Sequence, residues 1–319
     1  MENLKKISPH LIALLLFAGI SFVYFSPVLE GKRLDMPDIK HWKGMSKEVV
    51  DFRESTGEEA LWTNSMFSGM PAYQISTKYK ANLIQYVDKV LMLGLPRPAN
   101  MLFLYLLGFY ILLLSLKIDY RLSAVGAIAF AFSSYLFIIL QAGHMTKAHA
   151  IAYVPMVIAA VLYTYRGKML LGGILTALTV ALELYANHLQ ITYYLVLILL
   201  LLALVQFIKD LKVNNLVDFA KRSGILIVAA LLASGTSLTR LSTTMEYGKD
   251  STRGKSELTN NLDNKTSGLD KDYATSWSYG IAESLTLLIP NFYGGASQGE
   301  LTTDSETYQA IKRAPNAKQ

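Results

Sequence analysis

The chain has 319 residues, of which 52% are hydrophobic and 17% charged, and it carries a net charge of +6. With a positive mean hydropathy, that balance excludes an ordinary soluble domain of this length. The absence of cysteine excludes disulfides and thiolate metal sites. The lysines and arginines sit in short loops beside hydrophobic segments, where they orient a membrane chain and give no reason to expect a nucleic-acid partner.

In chain order, Lys5 and Lys6 precede an apolar run over 11–29 with no small-residue cleavage site behind it. This predicts a retained first helix with a cytoplasmic start. Further spans are expected near 99–116, 122–140, 148–165, 169–186, 189–208 and 224–238. The stretches 102–116 and 195–204 carry scarcely a polar side chain, as a helix crossing a bilayer requires. The expected fold is therefore an all-α polytopic membrane protein of about seven transmembrane helices with a large first outer loop. Its parts are a first helix in 1–30, outer loop 1 in 31–98, helices two to seven in 99–240, and a second outer segment in 241–319. The positive-inside rule agrees, because it puts Lys117 with Arg121, Arg166 with Lys168, and the Lys209, Lys212, Lys221, Arg222 group together in the cytoplasm.

The first loop, about seventy residues long, exceeds an ordinary connection and is expected to be functional. It opens with Asp35, Asp38, His41 and Trp42 just behind the first helix. Residues 45–52 have the apolar spacing of a helix. Trp42, Trp62, Phe67 and Tyr73 suit either a layer lying on the lipid headgroups or faces on which a sugar ring stacks. Two further outer corners collect polar groups. One holds His144, Lys147 and His149, and the other holds Glu183, Asn187, His188 and Gln190. Imidazole, amide and ammonium groups at the end of a helix bundle serve either as interfacial caps or as hydrogen-bond partners for phosphate and sugar hydroxyls. Glu183, about one turn inside the expected boundary, needs a cation or a wet cavity, and Lys147 and His188 are its candidate partners. Gly108, Gly126, Ser133, Ser134, Gly172 and Gly173 are expected to let helices approach closely. The chain has no internal repeat and no apolar segments broken at matching positions, the usual sequence sign of a secondary transporter. Past Arg240 the sequence is polar and includes Thr252-Arg253-Gly254-Lys255. An interrupted apolar piece at 277–293 is expected at the interface, and the polar ending predicts the front part of a longer protein.

The segments Tyr24-Phe25-Ser26-Pro27-Val28-Leu29-Glu30-Gly31, Leu61-Trp62-Thr63-Asn64, Gly69-Met70-Pro71-Ala72-Tyr73, Ala131-Phe132-Ser133-Ser134-Tyr135 and Ala186-Asn187-His188-Leu189-Gln190-Ile191-Thr192-Tyr193-Tyr194 together resemble the YfhO family of bacterial membrane proteins. The resemblance implies a GT-C-like glycosyltransferase at the outer face of the bacterial cytoplasmic membrane. Such an enzyme moves a sugar from a polyprenyl-phosphate-linked donor to a cell-envelope glycopolymer, glycolipid or protein. It also implies an acidic residue early in the first outer loop. Asp38 stands there as general base, although Pro37 occupies a position where family members often have glycine, which keeps Asp35 beside it as the alternative. Lys147, His144, His149 and Arg240 are the expected cations and donors for the departing phosphate, with Asn187, His188 and Gln190 holding hydroxyls or phosphate oxygens. No cofactor is expected. Asp35, Asp38, Glu183 and the histidines are of a type that binds divalent metal, but no spacing calls for one. The competing expectation is a transporter or flippase, or a non-catalytic binding or assembly protein, for lipid-linked sugars.

Overall fold

The structure, a computed structural model, describes residues 2–251, 271–276, 278–289, 291–293 and 302–313. The Thr252 to Lys255 run, and Trp277 and Pro290 of the second apolar piece, lie outside the described residues. The described chain is almost wholly helical. One compact unit covers Met1–Ser276 and a second covers Trp277–Gln319. In the second, a 3-10 turn at Glu283–Leu287 is started by the Glu283 carboxylate, which accepts the Gly280 amide at 3.0 Å, and a helix follows at Glu306–Arg313.

In the first unit, α1 (Glu2–Tyr24) ends earlier than the apolar run suggests, in a 3-10 turn at Ser26–Glu30 closed by Gly31. The loop that follows is built rather than open. Helix α2 (Pro37–Thr56) contains the expected 45–52 helix and extends it back to the aspartate. A two-stranded antiparallel pair, Trp62–Thr63 with Met70–Pro71, and α3 (Ile84–Leu91) complete it. The bundle then runs through α4 (Ala99–Ser115), α5 (Tyr120–Ala131), α6 (Ser134–Ala142), α7 (Met145–Tyr165), α8 (Met169–Tyr185), α9 (Leu189–Lys212), α10 (Leu216–Gly235) and α11 (Leu238–Gly248).

Helix α4 is the hub. Met101 to Leu106 are each 1% exposed or less, and α1, α5 and α7 pack around them. Gly108 allows the α7 contact, because a Cβ there would meet the Ala152 carbonyl oxygen at 2.5 Å. Phe17 of α1 is fully buried and meets the Tyr110 ring edge to face at 5.4 Å.

Among the described residues, three helices are long and apolar enough to cross a membrane: Ile7–Tyr24, Met145–Tyr165 and Leu189–Lys212. A fourth span exists if α5 and α6 are counted as one. These two correct the expectation of a single helix over 122–140, because the chain bends by 47° between them. The break falls at Ser133-Ser134, where Ser133 takes an extended backbone (φ −64°, ψ 139°), and paired small polar residues are a known cause of such kinks. Helices α4 and α8 have 17 residues each, about 25 Å at about 1.5 Å per residue, short of an apolar core about 30 Å thick. The last predicted span also begins earlier than 224, at Leu216, so that Asp218, Lys221 and Arg222 lie inside α10.

Helix α9 is apolar nearly all round and buries only Leu195 and Asp210. Leu197, Leu200, Leu201 and Leu204 are all exposed. A surface of that kind belongs in lipid, and the protein is membrane-associated. The basic loops gather at one end of the bundle. Arg166 donates to the Ser115 carbonyl at the close of α4. Arg222 donates to the Tyr165 carbonyl at 3.0 Å and stands 3.7 Å from Asp210. The starts of α4 and α7, and the corners that carry the histidines, lie at the other end.

Candidate functional site

The first loop holds the start of α2 over the bundle through a set of ties. Glu48 accepts the Thr63 hydroxyl and the amides of Asn64 (3.1 Å) and Ser65 (3.0 Å). The Thr63 hydroxyl, then the Ser65 amide, hold its carboxyl below the usual range. Arg53 is buried, donates from Nε to both Glu59 oxygens at 2.9 Å, and donates from Nη2 to the Ser76 carbonyl at 2.6 Å. Trp42 Nε1 donates to the Ile75 carbonyl at 3.0 Å, which fixes that ring.

Pro37 occupies the first helical turn and Asp38 follows it directly. Proline is well suited to that position, since its missing N–H would be unpaired there in any case, and a carboxylate in the first turn faces the positive end of the helix. The α6–α7 corner meets this turn. Gly143 closes α6 with φ +94°, and a Cβ on it would lie 3.1 Å from Met36 Cβ, 3.2 Å from Ile39 N and 3.3 Å from Asp38 Cβ. The next residue, His144, places Nε2 2.9 Å from Asp38 Oδ2. The two residues, 106 positions apart by number, thus form a pair on the wall of a cavity of about 640 Å³.

Lys147, His149 and His188 line the same cavity, so with Asp38 and His144 it unites five of the residues expected to act as base, cation or hydrogen-bond donor. Burial, then the neighbouring Lys147 ammonium, push the His188 imidazole below its ordinary value. The cavity also takes in Trp42, one of the rings expected on lipid headgroups or against a sugar, together with Lys43 and Arg97, which sequence reasoning missed. Arg97 lies between two prolines just ahead of α4, a rigid placement that was legible as such, whereas Lys43 carried no signal. Among the described residues, Lys43, Arg97 and Lys147 have no acidic partner within ion-pair distance, and Asp38 is the one carboxylate on the cavity wall.

The other predicted residues fall elsewhere. Asp35 is exposed in a 2.7 Å pair with Lys40 and is not on the cavity wall. Glu183 is fully buried, but neither Lys147 nor His188 pairs with it. Its two oxygens accept the Thr192 hydroxyl, each at 3.0 Å. The reason is the tight turn at Asn187 (φ 59°), which lays the first turn of α9 against the last turn of α8. Gln190 points away and donates to the Tyr194 hydroxyl at 2.8 Å. Arg240 donates to the Tyr185 carbonyl at 2.9 Å and lies over the Tyr79 ring at 4.9 Å. With Asn187 it lines a neighbouring hollow of about 480 Å³ that shares Trp42 with the first.

Behind His149 lies an acid the sequence reading did not mark. Asp88 of α3 is 6% exposed and holds His149 Nε2 and the Tyr153 hydroxyl on one oxygen, each at 2.6 Å. Among the described residues, no group of three or more His, Cys, Asp or Glu side chains is arranged to hold a metal ion. The cavity can bind an anion through its unpaired cations and can accept protons or hydroxyl hydrogen bonds at Asp38.

Comparison with family models, curated proteins and solved structures returned no match. The fold and the cavity therefore define the class on their own: an all-helical, membrane-associated protein with a structured 31–98 segment that helps wall a cation-rich cavity.

Proposed function

We propose that the chain is a GT-C-type membrane glycosyltransferase of the YfhO kind, acting on a polyprenyl-phosphate-linked sugar at the outer face of a bacterial cytoplasmic membrane. The observation that carries this reading is the Asp38–His144 pair, 2.9 Å apart, at a cavity whose other charged wall residues are the unpaired Lys43, Arg97 and Lys147. A base facing a cluster of cations suits group transfer away from a phosphate. The acceptor hydroxyl attacks the anomeric carbon, and its new C–O bond forms as the sugar–phosphate C–O bond breaks. Asp38 takes the hydroxyl proton, and the electron pair leaves on the polyprenyl phosphate, whose growing charge the cations offset. His144 orients Asp38 by holding Oδ2.

In this reading α4, α8, α10 and the bent α5–α6 pair complete seven spans, with the cavity outside and the basic loops in the cytoplasm. Single cysteines at Ser55 and Thr146 then react with an impermeant thiol reagent in intact cells, and one at Asn214 does not. The decisive assay supplies the purified protein with a panel of lipid-linked sugars and measures release of free polyprenyl phosphate. Binding without release would instead support a flippase or a non-catalytic carrier of such lipids.

A further inference from the structure

Asp88 takes no part in the proposed transfer. Among the described residues no lysine or arginine forms an ion pair with it, and its partners, His149 and Tyr153, stand four residues apart on one face of α7. A carboxylate withdrawn from water has to have its lone pairs filled. An ionised carboxylate only accepts hydrogen bonds, so the Tyr153 hydroxyl donates to Oδ1, and the ring nitrogen facing the same oxygen carries its proton. Tyr153 is fully buried, and the His149 side chain is 14% exposed. Ring rotation that would swap the two nitrogens has little room. His149 nevertheless reaches the wall of the large cavity, and Asp88 does not.

We propose that Asp88 is a positioning residue that locks His149 in its Nε2–H tautomer, making Nδ1 a hydrogen-bond acceptor for a hydroxyl of the cavity's ligand. A second group holding the ring by its far nitrogen is a recurring way to define what the near nitrogen does. The assignment divides the cavity. Lys43, Arg97 and Lys147 can only donate, and a bare phosphate needs nothing else. A sugar brings hydroxyl hydrogens that need acceptors, which His149 supplies together with Asp38. The geometry thus points to a ligand that carries hydroxyls as well as an anion. Only this choice of ligand rests on the glycosyltransferase reading, while the tautomer lock stands on the Asp88, His149 and Tyr153 contacts alone.

Nitrogen NMR of the full chain in detergent micelles, with histidine rings labelled and assigned by single His→Gln variants, tests both parts. In the parent, His149 is expected to show a protonated Nε2 and a bare Nδ1. Asp88→Leu, which removes the acceptor, is expected to release the ring to a mixture of tautomers, and Tyr153→Phe, which leaves the carboxylate in place, is expected to keep it locked. A protonated Nδ1 in the parent, whether in a neutral ring or in an imidazolium paired with Asp88, overturns the proposal without any variant, so the test survives if Asp88→Leu fails to fold. An unchanged tautomer in folded Asp88→Leu overturns it as well. For the ligand, polyprenyl-phosphate glucose is expected to move the Nδ1 resonance while polyprenyl phosphate without sugar leaves it in place, and equal shifts from both refute the hydroxyl contact. If the tautomer behaves as expected but no lipid-linked sugar is turned over, the transferase reading falls and the lock remains.

Discussion

Replacing Gly143 with alanine attacks the joint between the outer loop and the bundle. The residue sits at φ +94°, and the added Cβ meets Met36 Cβ, Ile39 N and Asp38 Cβ at 3.1 to 3.3 Å. One is the β-carbon of the helix cap Met36, one that of Asp38 in the first turn and one is backbone, so none is a flexible end that can swing aside. Holding a non-glycine residue in such a region costs about 1–3 kcal/mol, and the three close contacts act in the same direction. The relief that removes both penalties is for the corner to relax out of the left-handed region, which lifts the start of α2 from it. At about 1.4 kcal/mol per factor of ten, the lifted population rises about 5- to 150-fold. Hydrogen–deuterium exchange read by mass spectrometry on the purified protein measures this locally. Peptides covering 36–42 and 139–149 are expected to exchange faster, while those from α9 keep the parent pattern. Parent-like protection in both corner peptides would refute the claim that Gly143 seats Asp38 beside His144.

Asp38→Asn keeps size and hydrogen bonding but removes the base, so sugar transfer is expected to fall by about a hundred- to ten-thousand-fold with lipid-linked sugar still bound. Asp35→Asn, at an exposed pair off the cavity wall, is expected to cost far less, and the reverse order would move the base to Asp35. Lys147→Met retains the packing stem and removes the charge. It is expected to accumulate normally in the membrane and to bind polyprenyl phosphate more weakly, and unchanged binding would make Lys147 an interfacial cap. The lowered Glu48 carboxyl adds loop stability that is present above the unfolded value of about 4.3 and is lost as pH falls through its folded value. Acid titration of loop protection is therefore expected to flatten in Glu48→Gln, and identical curves would remove Glu48 from the account.

The helices were legible because their apolar runs are long, and the corner histidines because polar groups at the ends of such runs stand out. The break at Ser133-Ser134 was not read, since hydrophobic residues continue on both sides and composition alone does not show a turn in direction. Asp38 was singled out because the resemblance implies an acidic residue just behind the first helix. Its partner His144 and the walls supplied by Trp42, Lys43 and Arg97 come together only through the way α2 folds back, held by Glu48 and Arg53. Glu183 was rightly marked as awkward, but its partner depends on the Asn187 turn, which puts Thr192 closer than any cation. Asp88 looked like one charge among many in a polar loop, because nothing in its neighbourhood in the chain announces burial against α7.

Helix α9 carries a consequence for handling the protein. It buries only Leu195 and Asp210, and its Thr192 hydroxyl is the hydrogen bond that the buried Glu183 receives. Such a helix is kept in place from outside, by the chains of the surrounding lipid, more than from inside by its neighbours. The choice between detergent and nanodisc therefore bears directly on a carboxylate that no solvent touches: a mimetic that fits α9 loosely lets Thr192 drift and leaves Glu183 without its cover.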